Sequence, residues 1–308
     1  MLPFPLIYHD GYDLHFGRHV FPTQKYRLVR LRLLDTFAAG PEDFLTPVPA
    51  TGEQVRLVHT DEWVTKLETG TLSYREIVKL EVPYSRQVVD AYFLATGGTI
   101  LAARRSLEIG IGINIGGGFH HAFPGHGEGF CAIHDVAVAI RVLQQESAIR
   151  TAMVVDCDAH HGNGTAAIFA GDESVFTFSI HQFNNYPTEK PPSSLDIHLP
   201  DDTGDQEYLE KLSEGLQMAL GGFRPDMIFY VAGSDPYLDD QLGGLSLTKE
   251  GVKERDQIVL SIALQHQIPV CVTLSGGYAS RIEDTVDLHT NTVLAALDAW
   301  KECGWQAR

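Results

Sequence analysis

The feature that most constrains this chain is the regular alternation of short apolar segments with longer amphipathic ones. The apolar segments are rich in β-branched residues and are bounded by glycine, proline or polar residues, which is typical of strands buried on both faces of a sheet. They are Ile111–Ile115, Ala152–Asp156, Val175–Ile180, Met227–Ala232 and Val270–Leu274. The segments with helical periodicity are Arg86–Glu108, His134–Gln145, Glu207–Leu220, Thr248–Gln265 and Ile282–Trp300. The alternation predicts an α/β fold with a central, mainly parallel sheet and helices on both faces.

The sequence predicts one domain over residues 1–308. It contains no internal repeat, low-complexity tract or linker, and the proline-rich stretch Tyr186–Pro192 is short and predicts a surface loop. Hydrophobic residues make up 44% of the chain and charged residues 20%, which are globular values. The tail after Trp300 carries no interaction motif.

Acidic residues dominate the charge, because 40 Asp and Glu face 23 Lys and Arg and leave a net charge of −17. This balance disfavours nucleic-acid binding and attachment to a membrane surface through basic residues, but it is compatible with a cationic substrate such as lysine or a polyamine. No apolar run is long enough for a membrane span, and the first ten residues lack the pattern of a signal peptide. The four dispersed cysteines favour a reduced, cytoplasmic setting.

Residues with catalytic or metal-binding chemistry follow the carboxyl ends of the predicted strands. Ligands of open parallel sheets bind in the crevice beyond those ends, where side chains from several strands converge. The residues found there are His120, His121, Asp156, Asp158, His160, His181, Asp235 and Tyr278. We therefore expect one functional site at this edge of the sheet.

Asp158 and His160 are two residues apart just beyond a strand, where side chains at such spacing point the same way. Asp235, at the end of another strand, can complete a set of three ligands. Two carboxylates, one imidazole and an open position are typical of a catalytic metal centre, and Zn²⁺ is the favoured ion. The alternative is a pair of loop side chains that hydrogen-bond to each other. A structural zinc site is disfavoured because the cysteines are dispersed.

His120 and His121 follow three glycines, whose conformational freedom allows both rings to face one cleft. One ring can take a proton from water, and the other can assist electrostatically or protonate a leaving amine. Asp156 and Asn163 are candidates for fixing the tautomers of these rings. Tyr278 can donate a hydrogen bond to a developing oxyanion. The alternatives are locally satisfied loop histidines and a tyrosine that serves packing.

Other site types lack their signatures in this sequence. The glycine-rich stretch 110–116 has the spacing GxGxxxG and runs through a predicted strand, so it does not predict a dinucleotide site. The chain has no Walker motif, GxSxG elbow or HExxH helix.

Five segments, in order along the chain, resemble the histone deacetylase family of the arginase/deacetylase fold. They are Gly116–Ala122, Gly127–Cys131, Val155–Gly164, Ala232–Pro236 and Leu274–Tyr278. The resemblance is densest over residues 85–280. The triple glycine before Phe119, Gly162-Asn163-Gly164 and the segment Leu242–Ser246 are most similar to the class IV branch.

The resemblance implies a zinc-dependent amidohydrolase, with one zinc ion per chain, that releases an acyl group from the ε-amine of lysine in a peptide or protein. It implies Asp158, His160 and Asp235 as zinc ligands. The implied catalytic residues are His121 as general base, its neighbour His120, Asp156 behind His120, Asn163 behind His121 and Tyr278, which holds the oxyanion together with the metal.

The resemblance also implies a substrate tunnel and potassium sites. Phe130 and Tyr186 match the aromatic walls around the lysine stem, and Gly129 matches a carbonyl that accepts from the substrate amide; the expected tunnel residues are Gly129, Phe130, Tyr186, Gly276 and Gly277. A first potassium ion would lie at Asp156, Asp158, His160, Ser179 and Ile180, and a second near Phe169, Asp172 and Val175.

Asn163 departs from the family pattern, because many members carry Asp at that position. An amide cannot supply the charge of a carboxylate, so we expect His121 to be a weaker base. Tyr278 is present, which argues against an inactive relative. The related arginase branch uses two manganese ions and an Asp-x-His-x-Asp string, whereas Asp156-x-Asp158-x-His160 favours one metal.

Two other functions stay open from the sequence. The first is a deacetylase of small acylated amines such as acetylpolyamines, which an acidic gate would favour, with Glu81, Glu128 and Asp10 as unplaced candidates. The second is a non-catalytic module that binds acyl-lysine, which the intact ligands and Tyr278 disfavour. The resemblance is compatible with both acetyl and long fatty acyl groups.

Overall fold

Eight parallel strands form one sheet in a computed structural model that describes residues 1–306. The strands are β1 (Leu6–Ile7), β2 (Phe44–Leu45), β3 (Ile111–Asn114), β4 (Ala152–Asp156), β5 (Val175–Gln182), β6 (Leu195–Leu199), β7 (Met227–Val231) and β8 (Val270–Thr273). Their order across the sheet is β2-β1-β3-β8-β7-β4-β5-β6, and every pairing between them is parallel. The predicted α/β class is confirmed. The last two positions of the predicted domain, 307 and 308, lie outside the described residues.

Ten α-helices flank this sheet in the described part of the chain. They are α1 (Gln24–Asp35), α2 (Gly52–Val55), α3 (Asp61–Thr69), α4 (Tyr74–Leu80), α5 (Arg86–Ile109), α6 (Asp135–Gln145), α7 (Asn163–Ile168), α8 (Asp205–Gly222), α9 (Lys249–Gln265) and α10 (Ile282–Cys303). Thr248 caps α9, since its hydroxyl accepts from the amide of Gly251 at 3.0 Å. Across residues 1–306, none of the helices combines the length and apolarity that crossing a bilayer requires.

The five predicted strands and five predicted helices all form, and most of their bounds shift by one or two residues. Strand β5 continues through His181 and Gln182 because these residues pair with His198 and Leu199 of β6. The prediction missed β6, whose residues alternate between apolar and polar at the sheet edge, and the two-residue strands β1 and β2. Two residues carry too little periodicity to identify β1 or β2, whereas the alternation in β6 was a strand signal that the prediction did not use.

The centre of the sheet is fully buried, as the apolar runs predicted. Every residue of β3, β4, β7 and β8 is buried, and α5 packs against β3 and β8. These four strands are neighbours in the order β3-β8-β7-β4. The loops that follow them therefore meet at one edge of the sheet.

Candidate metal centre and active site

Three side chains from two of these loops meet at the carboxyl edge of the sheet. Asp158 and His160 follow β4, and Asp235 follows β7. Their ligand atoms all lie within 4.8 Å of one another, and all three residues are buried. Nδ1 of His160 lies 2.9 Å from Oδ1 of Asp158 and 3.2 Å from Oδ2 of Asp235.

The donor set fits a bound cation. Nε2 of His160 donates to the Leu242 carbonyl oxygen at 3.2 Å, so Nδ1 is the nitrogen that would offer its lone pair to a cation bound between the carboxylates. Burial and the charge of Asp158 raise the pKa of Asp235 to about 7, which reflects the cost of two buried acids in contact. A divalent cation would offset that cost, and two carboxylates with one imidazole are ligands that zinc accepts.

Donors in the loops after β8 and β4 hold the two carboxylates in place. The amide of Gly276 and the hydroxyl of Ser275 each donate to Oδ2 of Asp158 at 3.1 Å. A Cβ atom at Gly276 would overlap the carboxylate oxygens of Asp158 and Asp235, so only glycine allows this close approach. The amide of Ala159 donates to Oδ1 of Asp235 at 2.8 Å.

A second group of possible ligands, His161, His181 and Asp196, lies beside β5 and β6. Both ring nitrogens of His181 have hydrogen-bond partners, because Nδ1 lies 2.9 Å from Oγ of Ser179 and Nε2 lies 2.8 Å from Nδ1 of His198. A ligating nitrogen cannot keep such a bond. The first group is therefore the better metal site.

His120 and His121 sit beside the metal group with different partners. Nδ1 of His120 donates to Oδ2 of Asp156 at 2.7 Å, and Nδ1 of His121 donates to Oδ1 of Asn163 at 2.7 Å. The sequence predicted both partners. Burial would lower the pKa of His120, but the charges of Asp156 and Asp158 outweigh it and raise the pKa to about 9.

The pKa of His121 moves in the opposite direction. Burial and the neighbouring rings of His120 and His160 lower it well below its ordinary value. Its ring is therefore neutral, and because Nδ1 carries the hydrogen, Nε2 carries the lone pair. A neutral ring with a free lone pair is what a general base requires.

Glu128 completes this arrangement, and sequence reasoning had not placed it there. Its Oε1 accepts from Nδ2 of Asn163 at 2.6 Å and from the Tyr186 hydroxyl at 3.1 Å. Its Oε2 lies 2.6 Å from Nζ of Lys79 and 3.1 Å from Nε2 of His126. Burial alone would raise the pKa of Glu128, but these hydrogen bonds hold it well below its ordinary value.

Tyr278 follows β8 and lines the same cavity as His121 and His160. Its ring centroid is 6.5 Å from that of His160 and 5.9 Å from that of Phe130. Burial and the charges of Asp158 and Asp235 raise the pKa of its phenol well above the ordinary value, so the hydroxyl stays a hydrogen-bond donor. Its backbone amide donates to Oδ2 of Asp240 at 2.7 Å, which fixes the loop.

An open cavity of about 210 Å³ leads to these residues. Among the side chains and backbone that line it are His121, Gly129, Phe130, His160, Tyr186 and Tyr278. The ring of Tyr186 stands perpendicular to that of His121 at 4.9 Å, while Phe130 stacks on Phe21 at 5.6 Å. The predicted aromatic walls thus face one cavity.

The backbone at Gly129 and Phe130 is what turns Phe130 into this cavity. Both residues have positive φ, +52° and +66°. A Cβ atom at Gly129 would come within 2.8 Å of the His121 ring and 3.1 Å of Tyr186, so glycine is required there. Of the other predicted tunnel residues, Gly276 lines a smaller chamber next to the metal group, whereas the Cβ position of Gly277 faces Ser234 and Thr285.

That smaller chamber has a volume of about 20 Å³. Its walls include Phe21, Tyr26, Phe119, Cys131 and Tyr278, and His120 and His121 border it. A chamber of this size holds about one water molecule, which leaves space for a methyl-sized group.

Lys25 is a buried residue near the site that the sequence did not reveal. It lies on α1, is 0% exposed, and its Nζ donates to the Ser275 carbonyl at 2.6 Å. Burial lowers its pKa to about 8, opposed by the charges of Asp235, Asp158 and Asp240. No local pattern links residue 25 to residue 275, since only the packing of α1 beneath the β8 loop brings them together.

The residues of each predicted potassium site lie close together in the fold. Ser179 pairs with Asp156 in register between β5 and β4, so the first set of residues is contiguous. In the second set, the amide of Asp172 donates to the Phe169 carbonyl and the amide of Val175 donates to the Asp172 carbonyl, which closes a compact turn. Potassium binding stays a prediction at both places.

The three candidates for an acidic gate lie at different places in the structure. Glu81 lines the cavity beside Phe130 and Tyr186. Glu128 is 6% exposed and bonded to Asn163, and Asp10 accepts from the Tyr8 hydroxyl near the first strand. Glu81 is therefore the member of the three that a ligand in the cavity would meet.

Comparisons with known proteins agree with this geometry. The family model of the histone deacetylase domain matches residues 19–293. An uncharacterized protein of Picosynechococcus sp. is 40% identical over 298 residues, which cover 96% of this chain and 99% of that protein. Histone deacetylase 2 of Arabidopsis thaliana is 31% identical over 286 residues, which cover 89% of this chain and 74% of that protein. The crystal structure of the HDA15 HD domain shares the fold, with a TM-score of 0.82 and 24% identity over 96% of this chain and 88% of that one.

Proposed function

This chain belongs to the histone deacetylase family, and we propose that it is a zinc-dependent hydrolase that removes acetyl groups from the ε-amine of lysine in peptides or proteins. The observation that carries the proposal is the meeting of the Asp158, His160 and Asp235 ligand group with His121 and Tyr278 at the end of an aromatic-walled cavity.

Asp158, His160 and Asp235 are the residues that would hold the zinc ion. When bound, zinc would polarise the amide carbonyl and lower the pKa of a water molecule. The hydrogen bonds from Gly276, Ser275 and Ala159 keep the carboxylates oriented for this purpose.

His121 is the proposed general base. Its Nδ1–H is held by Asn163, so its Nε2 is the nitrogen that accepts a proton from the attacking water. The same nitrogen then gives that proton to the departing lysine amine, and the protonation states of the site are restored. His120, paired with Asp156, supplies positive charge next to the reacting carbonyl.

Tyr278 donates its hydroxyl hydrogen to the oxyanion that develops as water adds to the carbonyl. Its raised pKa keeps that hydrogen in place, and its fixed loop keeps the ring in position. Phe130 and Tyr186 cover the aliphatic stem of the lysine, which an apolar wall accommodates better than a polar one.

The size of the small chamber favours a substrate with an acetyl group over one with a long fatty acyl group. Its volume of about 20 Å³ accommodates a methyl group, and its aromatic walls would have to move for a longer chain. The sequence resemblance alone had left both acyl classes open.

A kinetic panel tests these assignments. Zinc-loaded protein should hydrolyse acetyl-lysine peptide, with kcat/KM falling steadily from acetyl to myristoyl. Tyr278→Phe should lower kcat by about 100-fold while zinc content, measured by elemental analysis, stays at one per chain. Unchanged turnover in Tyr278→Phe would contradict its role, and a preference for myristoyl would contradict the role of the chamber.

A small acylated amine is the second candidate substrate, and the position of Glu81 favours it. This carboxylate lines the cavity, where it can pair with a second ammonium group of an acetylpolyamine. In that case an acetylpolyamine should exceed the acetyl-lysine peptide in kcat/KM, and Glu81→Gln should remove the advantage. Equal loss on both substrates would argue against an acidic gate.

A further inference from the structure

We propose that Glu128 is the positioning carboxylate of the general-base histidine and that it acts on His121 through Asn163. This inference rests on the proposed function, in which His121 is the base. It replaces the expectation that Asn163 leaves His121 without a charged partner, because the charge is present one hydrogen bond further away.

Glu128 fixes the orientation of the Asn163 amide. A carboxylate accepts hydrogen bonds and cannot donate them, so the 2.6 Å contact with Oε1 of Glu128 requires the NH₂ group of Asn163 to face Glu128. The carbonyl oxygen of the amide must then face Nδ1 of His121, at 2.7 Å. An amide with a neutral neighbour could turn over, but here Glu128 fixes its direction.

The orientation of the Asn163 amide determines the tautomer of His121. An amide oxygen only accepts, so Nδ1 of His121 must carry the hydrogen and Nε2 must carry the lone pair. The tautomer that general-base catalysis needs is therefore set by Glu128, two hydrogen bonds away. Asp156, by contrast, pairs directly with the charged ring of His120.

Glu128 is kept ionised although it is shielded from solvent. It is 6% exposed, and Nζ of Lys79 lies 2.6 Å from its Oε2, the oxygen that does not face Asn163. Lys79 is half exposed, so its charge reaches solvent while the carboxylate does not. The two oxygens therefore have different roles, since Oε2 binds the cation and Oε1 orders Asn163.

A structural role for Glu128 is the competing explanation, because Oε1 also accepts from the Tyr186 hydroxyl at 3.1 Å. Loss of that bond would loosen a cavity wall and raise KM. We call the two hydrogen bonds that link Glu128 to His121 through Asn163 the relay. Loss of the relay would lower kcat instead, since the tautomer of His121 affects the chemical step and not substrate binding. Measuring kcat and KM separately distinguishes the two.

The test uses the zinc-loaded full-length chain and three variants with an acetyl-lysine peptide. Glu128→Gln keeps the shape of the side chain and removes its charge, and should lower kcat by about tenfold with KM little changed. Asn163→Asp combined with Glu128→Gln places a carboxylate directly on His121 and should restore kcat to within about threefold of the original. Glu68→Gln, which removes an ion-paired carboxylate from α3, is the matched control and should leave kcat unchanged.

A second readout does not depend on turnover. In protein labelled with ¹⁵N-histidine, NMR should show His121 as a single Nδ1–H tautomer, assigned with the His121→Gln variant. Glu128→Gln lets the two amides turn over together, so a mixture of His121 tautomers should appear. If the peptide is not hydrolysed yet the tautomer shifts in this way, the relay stands and the proposed function fails.

Three results would overturn the relay. They are a single, unchanged His121 tautomer in Glu128→Gln, a double variant whose kcat is as low as that of Glu128→Gln alone, and a rise in KM with unchanged kcat in Glu128→Gln. The last result would assign Glu128 to the support of Tyr186.

Discussion

The two adjacent histidines of the site have the same sequence context and opposite electrostatic surroundings. His120 donates to the carboxylate of Asp156, and its pKa rises to about 9, whereas His121 donates to the amide of Asn163, and its pKa falls well below the ordinary value. Similar burial therefore gives one ring that holds a proton and one that is free to accept it. Because both rings are buried, the residue that accepts from Nδ1 determines, more than burial does, which ring is charged and which can act as a base.

The largest expected effect on kcat comes from removing each of the two rings in turn. His121→Ala should lower kcat by about 1,000-fold, because no other group takes the proton of the attacking water. His120→Ala should lower kcat by about 100-fold, since it removes charge stabilisation but leaves the base. Zinc content measured on both variants serves as the control. Equal losses would mean that the two rings do not have separate roles.

The partners provide the next test, on stability. Asp156→Asn breaks a buried pair between a carboxylate and a charged ring, and should lower the free energy of unfolding by about 3 kcal/mol in urea denaturation. Asn163→Ala removes a neutral hydrogen-bond partner and should cost about 1 kcal/mol. If Asn163→Ala proved the more destabilising change, His120 would not be held as a charged ring by Asp156.

The smallest expected effect concerns the stability contributed by His59, a third buried histidine, which has no carboxylate partner. Nε2 of His59 accepts from the amide of His134 at 2.9 Å, and burial lowers the pKa of His59 to about 4. The unfolded chain binds this proton more readily, so stability present at neutral pH is lost as pH falls from about 6.5 towards 4.

His59→Gln should reduce the loss of unfolding free energy between pH 7 and pH 5.5 by about 1 kcal/mol relative to the unmodified chain. Urea titrations at the two pH values measure this difference. A pH dependence identical in both proteins would show that burial without an acidic partner does not keep His59 neutral.

Much of this site was predictable because its residues follow the ends of strands. Strand β4 has the bounds that the sequence predicted, and the two polar residues beyond it, Asp158 and His160, meet Asp235 as expected. The partners Asp156 and Asn163 were also identified, since they flank the same motif. Parallel strands place such residues at one edge whatever the details of the helices.

The contacts that the sequence could not reveal join distant loops. Glu128 was a candidate for an acidic gate, but packing of the loop after Gly127 turns it towards Asn163, 35 positions further along the chain. Lys25 reaches Ser275 across 250 positions. Neither contact has a periodicity or motif, because each depends on the tertiary packing of separate segments.

In the proposed function, Asp158, His160 and Asp235 hold one catalytic zinc ion beside His121. Adding zinc in steps to metal-free protein while measuring acetate release from an acetyl-lysine peptide tests it most directly. The rate should rise linearly and level off at one zinc per chain, and Asp235→Asn should show no rise. Hydrolysis that is independent of zinc, or that Asp235→Asn retains in full, would contradict the account.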